Sequence, residues 1–269
     1  MSNNRSSRFR IGLLLFPDLT QLDLTGPYEV FARVANAEVH LIGKTMEPVR
    51  SERGLTITPT TTIDACPMPL DLICVPGGPG IDAVLTDEVA LTFLRRAAAT
   101  AAYVTAVCTG SLVLGAAGLL EGRRATSHWM SREMLREFGA EPVAERVVLD
   151  GNIITGGGVT AGIDLALRVV AEIAGRDAAE SIQLAMEYDP RPPFDAGSPA
   201  RARPELRDAV LLHGQDRQRQ RAGHVRRAAV LLRANRSDQP SSLAQASACS
   251  SRSLPQNSSP DAVMKLGAP

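Results

Sequence analysis

The sequence is poor in the residues that most often announce a function. Aromatic residues make up 4% of its 269 positions. Its core must therefore be built from Val, Leu, Ile and Ala, a composition suited to parallel strands covered by helices on both faces. Cysteines number four, at positions 66, 74, 108 and 249, with no CxxC pair, and the four histidines lie far apart. That spacing gives a metal site little support and makes free thiols in a reducing cytoplasm the expectation. Long apolar runs are also missing. Arg8 and Arg10 precede Ile11–Phe16, but Pro17 and Asp18 end that run, so neither a secretory signal nor a membrane span is expected. No internal repeat is visible. An excess of either charge is missing too, since Lys and Arg balance Asp and Glu at 29 each.

That balance hides an asymmetry. Residues 1–200 hold 17 basic and 24 acidic residues, and residues 201–269 hold 12 and 5. An acidic body with a basic tail argues against a fold built around nucleic acid.

What is present alternates. IGLLLF (11–16), AEVHLIG (37–43), LDLICV (70–75) and YVTAV (103–107) read as buried strands. Between them, a helix is expected from Pro27 through Phe31, another over Glu88–Ala101, and an apolar one after Cys108. Short strands are expected around the Arg53–Gly54 turn, and a further helix over Trp129–Phe138. VVLDGNIITGG reads as a hairpin about Asp150–Gly151. Thr160 and Asp177 are placed to cap two later helices. Strands alternating with helices imply a flavodoxin-like, doubly wound and mostly parallel α/β sheet, whose function sits in loops at the strands' carboxyl ends.

Three such loops carry chemistry. In TAVCTGS (105–111) a buried strand runs straight into a helix, with Ala106 and Gly110 flanking Cys108, as in a nucleophile elbow. First-turn amides and the helix dipole are expected to draw the thiol pKa below its usual value of about 8.5. The bland alternative is a buried structural cysteine. In VPGGPG (75–80), Gly77 and Gly78 can bring N–H groups to a developing negative charge, with the Thr109 N–H as a further donor. In LTQLDLTGPYEVF (19–31), Asp23 sits among apolar residues, where it either caps the helix or exchanges protons with Cys108. Glu29 is the rival carboxylate. His128, in ATSHW, is the rival base, or else a packed loop histidine.

Composition shifts after Pro190. Taken as domains, residues 1–9 read as a flexible N-terminus, 10–198 as the catalytic body, 199–236 as a basic extension that could form a helix, and 237–269 as a disordered tail. The extension holds ten arginines among few apolar anchors, so the body is expected to fold and act without it. The alternative is that Leu206–Gly214 and Val225–Ala234 form two amphipathic helices that dock.

FPDLTQLDLTGPYEVF, VPGGPG, AVCTGSLVLGAAGLLEGRRATSHW and GGGVTAGIDLAL together resemble the ThiJ/PfpI superfamily, and its isonitrile hydratase branch in particular. The likeness runs from about Arg10 to Ser198, through AMEYDPRPPFDAGSP, and stops near Pro199, as a divergent extension or a shifted reading frame would produce. It implies a cytoplasmic homodimer with a nucleophile at Cys108, the adjacent Thr109 and an acidic partner at Asp23. It also implies lyase chemistry, the addition of water to an isonitrile through a cysteine thioimidate, with no cofactor and no metal. Protease-like relatives carry histidine after the cysteine, where this chain has Thr109. The competing expectation is a ligand- or redox-sensing regulatory protein on the same core.

Overall fold

Residues 8–237 are described by the computed structural model. Cys249, most of the expected flexible N-terminus and all but the first residue of the expected disordered tail lie outside them. The chain forms strand β1 (Phe9–Leu14), helix α1 (Gln21–Phe31), strands β2 (Ala37–Gly43), β3 (Val49–Arg50), β4 (Thr56–Ile57), β5 (Thr61–Thr62) and β6 (Leu72–Val75), and helices α2 (Ile81–Val84) and α3 (Glu88–Ala98). Strand β7 (Tyr103–Val107), helix α4 (Gly110–Ala116), strand β8 (Arg124–Ala125), a 3-10 helix over Arg132–Phe138, and strands β9 (Glu141–Pro142), β10 (Val147–Asp150) and β11 (Ile153–Gly156) follow. Helices α5 (Ala161–Ala174), α6 (Arg176–Ala185) and α7 (Pro204–Ser237) complete it.

Seven strands make one sheet in the order β10-β11-β7-β6-β1-β2-β5. The β10–β11 hairpin is antiparallel, and every other pairing is parallel. This is the doubly wound arrangement that the alternation of runs demands. Every residue of β6 is fully buried, as are Ile11 and Leu13 of β1. Short apolar runs can be buried on both faces only if helices cover both. Helix α5 packs on α1 and α6, while α4 packs on α2, α3 and α7.

Several local expectations shift. Helix α1 begins at Gln21, so Pro27 lies inside it and not at its start. Burial of Asp23 and Leu24 on the preceding turn extends the helix past the local proline signal. Pro27 has no N–H to give the carbonyl four residues back, which belongs to Asp23. Thr160 precedes α5 without a side-chain capping bond, and Gly175, not Asp177, occupies the cap of α6. The expected helix over Trp129–Phe138 is a 3-10 helix that starts at Arg132.

The largest revision concerns the extension. Its two apolar stretches lie on one continuous helix of 34 residues, α7, which runs through Gly214 and Gly223. Arg221, Val225, Ala228 and Ala229 fall at helical spacing on one face, and all four are buried. Arg236, near the far end, pairs with Glu121. The extension has the anchors that its composition obscured, which counts against its being dispensable.

Candidate active site

Strands β7, β6 and β1 are neighbours, and their register aligns Val75 with Ala106 and Leu13 with Cys74. The loops after Leu14, Val75 and Val107 therefore open side by side at one edge of the sheet. The chain leaves β1 in one direction toward β2 and returns on its other side through β6 and β7. Such a reversal of strand order leaves a crevice at the carboxyl ends, where open α/β sheets place their ligands.

Cys108 sits between β7 and α4 with φ of 57°, in the left-handed region that side chains avoid. Holding a non-glycine residue there costs on the order of 1–3 kcal/mol, so the surroundings must impose it. They do so from both sides of the residue. Its N–H donates to the Gly156 carbonyl at 3.0 Å. Its own carbonyl accepts the Ser111 hydroxyl at 3.1 Å and the Ser127 hydroxyl at 2.9 Å. Gly110 is required two residues on, because a Cβ there would stand 2.2 Å from the Val75 carbonyl oxygen. This is the sharp strand-to-helix turn that the flanking small residues imply.

Asp23 is fully buried on α1, and its side chain points to the glycine loop instead of capping the helix. Its Oδ2 accepts the Gly77 N–H at 3.0 Å. The Gly78 N–H donates to the Thr109 hydroxyl at 3.0 Å. Both amides expected to face a developing negative charge are thus already engaged. Gly77 and Gly78 hold the acid and the threonine in place. A Cβ on Gly77 would lie 2.6 Å from Thr109 N and 2.8 Å from Asp23 Oδ2, so only glycine fits between them. Asp23 Oδ1 is buried without a conventional partner. The Cys108 thiol is the neighbour that can offer it a proton.

The charges of this pair are strongly perturbed. Burial pushes Asp23 up from its ordinary 3.8 to about 7, while the Cys108 thiol and the Gly77 N–H hold it down and the Glu52 charge raises it. Burial also pushes the Cys108 thiol well above its ordinary 9.0, and the Asp23 charge adds to this; the Thr109 N–H and Arg221 oppose it. The expectation of a thiol lowered by its helix is therefore overturned. Helix α4 is seven residues long and every residue in it is buried, so desolvation outweighs the helix dipole. Near neutral pH the two groups share a proton and titrate as a pair.

His128 makes contacts of its own. Its Nδ1 accepts the Met130 N–H at 3.4 Å, and its ring lies 6.0 Å from that of Trp129. Burial and the nearby Arg221 charge lower its pKa, so it is neutral at pH 7. Glu29 is exposed and pairs with Arg33 at 2.7 Å. Among the described residues, no group of three His, Cys, Asp or Glu side chains is placed to hold a metal ion. Two kinds of residue escaped the sequence reading. Ser111 and Ser127 were readable only as neighbours of Cys108 and His128, and Arg221 carried no signal at all.

Residues 9–172 match the model of the DJ-1/PfpI family. The chain is 57% identical over 190 residues to the isonitrile hydratase of Pseudomonas putida, a match spanning 71% of this chain and 83% of that protein. It is 31% identical over 187 residues to the HTH-type transcriptional regulator GbdR of Pseudomonas aeruginosa, where the match spans 66% of this chain but only 50% of the regulator. Among solved structures, a ThiJ/PfpI family protein from Pseudomonas syringae is 43% identical with a TM-score of 0.79, covering 81% of this chain and 90% of that one.

Proposed function

The chain belongs to the DJ-1/PfpI family, and from that premise we propose that it is an isonitrile hydratase, a cofactor-independent lyase working through Cys108 and Asp23. The observation that carries the reading is the buried thiol–carboxylate pair, with Thr109 where a histidine would otherwise follow the nucleophile. Its likeness to the Pseudomonas putida enzyme over most of that protein's length supports the choice of substrate.

The geometry suits the chemistry of R–N≡C. The terminal carbon is electrophilic, and the carbanion formed by attack must be protonated at once. As Cys108 Sγ bonds to that carbon, the thiol proton passes to Asp23. An acid near 7 can take a proton and return it at neutral pH. Asp23 then delivers it to the carbon, giving the thioimidate R–N=CH–S–Cys. Water next adds across the C=N bond, its oxygen joining carbon and one proton travelling through Asp23 to nitrogen. The C–S bond of the tetrahedral adduct breaks, the hydroxyl proton returns to sulfur, and R–NH–CHO leaves. Thr109, fixed by Gly78, stands beside both reacting groups. The Thr109 N–H, already turned to the sulfur, favours the thiolate as it forms.

The partner is accordingly a small molecule, not nucleic acid. Among the described residues no helix is long and apolar enough to cross a membrane. The same reading takes the protein to be a cytoplasmic homodimer; the free thiols of Cys66, Cys74 and Cys108 fit a reducing compartment, and sedimentation would test the dimer. The central experiment follows formamide from an alkyl isonitrile with purified protein, with Cys108→Ala as the folded but inactive control. Absence of product from well-folded protein would overturn the assignment and leave a ligand-sensing role for the same core.

A further inference from the structure

Arg221 lies on α7, beyond the segment that matches the family model, yet it reaches the centre of the site. It is 5% exposed, unusual for a residue type seldom buried unless paired. Its guanidinium donates through Nε to Asp82 Oδ1 at 3.2 Å, through Nη1 to the Ser131 hydroxyl at 3.3 Å, and through Nη2 to the Gly78 carbonyl at 3.2 Å. The neighbouring positions brace it. The Ser131 hydroxyl donates to Gln218 at 2.9 Å, and Arg217 pairs with Asp82 at 3.4 Å. Residues 217, 218 and 221 share one helix face, so α7 is fastened to the site along a full turn.

Two consequences follow. The Gly78 peptide is held at both ends, its N–H by Thr109 and its carbonyl by Arg221, while the adjoining Gly77 N–H holds Asp23. Arg221 thus fixes the loop that positions both partners of Cys108. The second consequence is electrostatic. A thiol–carboxylate pair sharing one proton carries a net negative charge, and a dry site tolerates such a charge only beside a counter-charge. Arg221 is the buried cation whose field reaches Cys108. The other groups facing this region are Asp82, which pairs with both Arg221 and Arg217 and so leaves one positive charge in that trio, neutral His128, and Glu52, whose charge bears on Asp23.

We propose that Arg221 is a positioning residue for the Cys108–Asp23 pair, pinning the glycine loop and supplying the counter-charge that lets the thiol give up its proton. The role in turnover rests on the hydratase reading; the role in thiol reactivity does not, and the test separates them. Full-length protein and its Arg221→Met and Arg221→Lys variants are alkylated with iodoacetamide from pH 6 to 10. Modification is followed at the Cys108 peptide by mass spectrometry, alongside turnover of an alkyl isonitrile. The Met variant is expected to alkylate Cys108 about tenfold more slowly at pH 8, with its profile displaced upward by about one pH unit, tenfold in thiolate being one unit of pKa. The Lys variant, which keeps the charge, should recover most of that displacement. Turnover should fall in kcat with KM little changed. A folded Met variant with the wild-type profile, or a Lys variant displaced as far as Met, would overturn the proposal. Removing Arg221 alone leaves Asp82 short of its buried cation, so if the Met variant is insoluble the double variant Asp82→Asn/Arg221→Met is read by the same criterion. Should no isonitrile be hydrated by any form, the alkylation profiles still decide the point.

Discussion

Replacing Asp23 with Asn should yield a protein that is more stable at pH 8 and nearly inactive. The acid ionises near 3.8 in an unfolded chain but near 7 in the native one. Below both values each state is protonated and the group adds nothing. Between them the unfolded chain releases its proton while the native state keeps it, so native stability falls as pH rises. Above about 7 the loss is complete. Each pH unit of displacement is worth about 1.4 kcal/mol, which makes the full penalty about 4 kcal/mol. Asn escapes it. Its amide oxygen still accepts the Gly77 N–H as the neutral acid does, and what the charged carboxylate gains from that bond is already contained in its displaced pKa. The variant should therefore match the wild type to within about 1 kcal/mol at pH 4 and exceed it by about 4 kcal/mol at pH 8. Urea unfolding of both proteins at pH 4, 6 and 8 measures this directly. Turnover, having lost its proton carrier, should drop by about 10² to 10⁴. Stability curves that run parallel across that pH range would refute the argument, because they would mean that Asp23 ionises in the native state as it does in the unfolded one.

Four further outcomes are expected. Gly77→Ala, whose Cβ would crowd Thr109 and Asp23, should lower kcat by roughly 10²-fold while costing about 1–3 kcal/mol of stability, read by turnover and thermal melting. His128→Ala should change kcat less than about tenfold, since a neutral histidine outside the pair exchanges no proton; near-complete loss with the fold intact by circular dichroism would move the base from Asp23 to His128. The pH profile of kcat/KM should rise to a plateau as pH passes about 7, where the pair sheds its first proton, and stay level to pH 9 because burial holds back the second. Truncation after Ser198 removes Arg221 and the buried face of α7. It should destabilise the body by about 3 kcal/mol or more, and a truncated chain with wild-type melting temperature and turnover would show that α7 is an ornament.

The centre of the sheet was legible because β1, β6 and β7 lie in short, mainly apolar runs, each leading into a loop that carries proline or glycine. The sharp turn at Cys108 was legible because small residues flank a cysteine at a strand-to-helix junction. Asp23 was legible as a carboxylate in apolar company. What failed were inferences that needed tertiary facts. The proline signal at Pro27 is local, and burial of the preceding turn overrode it. Gly77 and Gly78 lie against Asp23 and Thr109, but an N–H open to a ligand and an N–H holding a side chain look alike in sequence. Arg221 was illegible because its partners Asp82, Ser131 and Gly78 lie 139, 90 and 143 residues away, and because it stands among arginines whose density suggested a segment with few apolar anchors.

The misjudged thiol shows how the two halves of the site depend on each other. A cysteine at a helix start is activated by the dipole only where the surroundings are wet enough for the thiolate to be tolerated. Here the turn that exposes the nucleophile's backbone to three loops also buries its sulfur, so the strain that forms the elbow and the desolvation that silences the thiol arise from the same packing. An unaided cysteine in that position would stay protonated through the physiological range. A second acid in the same dry space alters the balance, since the proton need only move from sulfur to carboxylate, leaving the net charge of the pair unchanged. The transfer then requires no new buried charge, and the existing one needs a single fixed cation. Reactivity is thereby withheld until an electrophile arrives to draw the electron pair from sulfur. A resting thiolate would be open to any oxidant or alkylating agent that reached it, whereas this pair keeps its proton until the substrate carbon is in place to accept it.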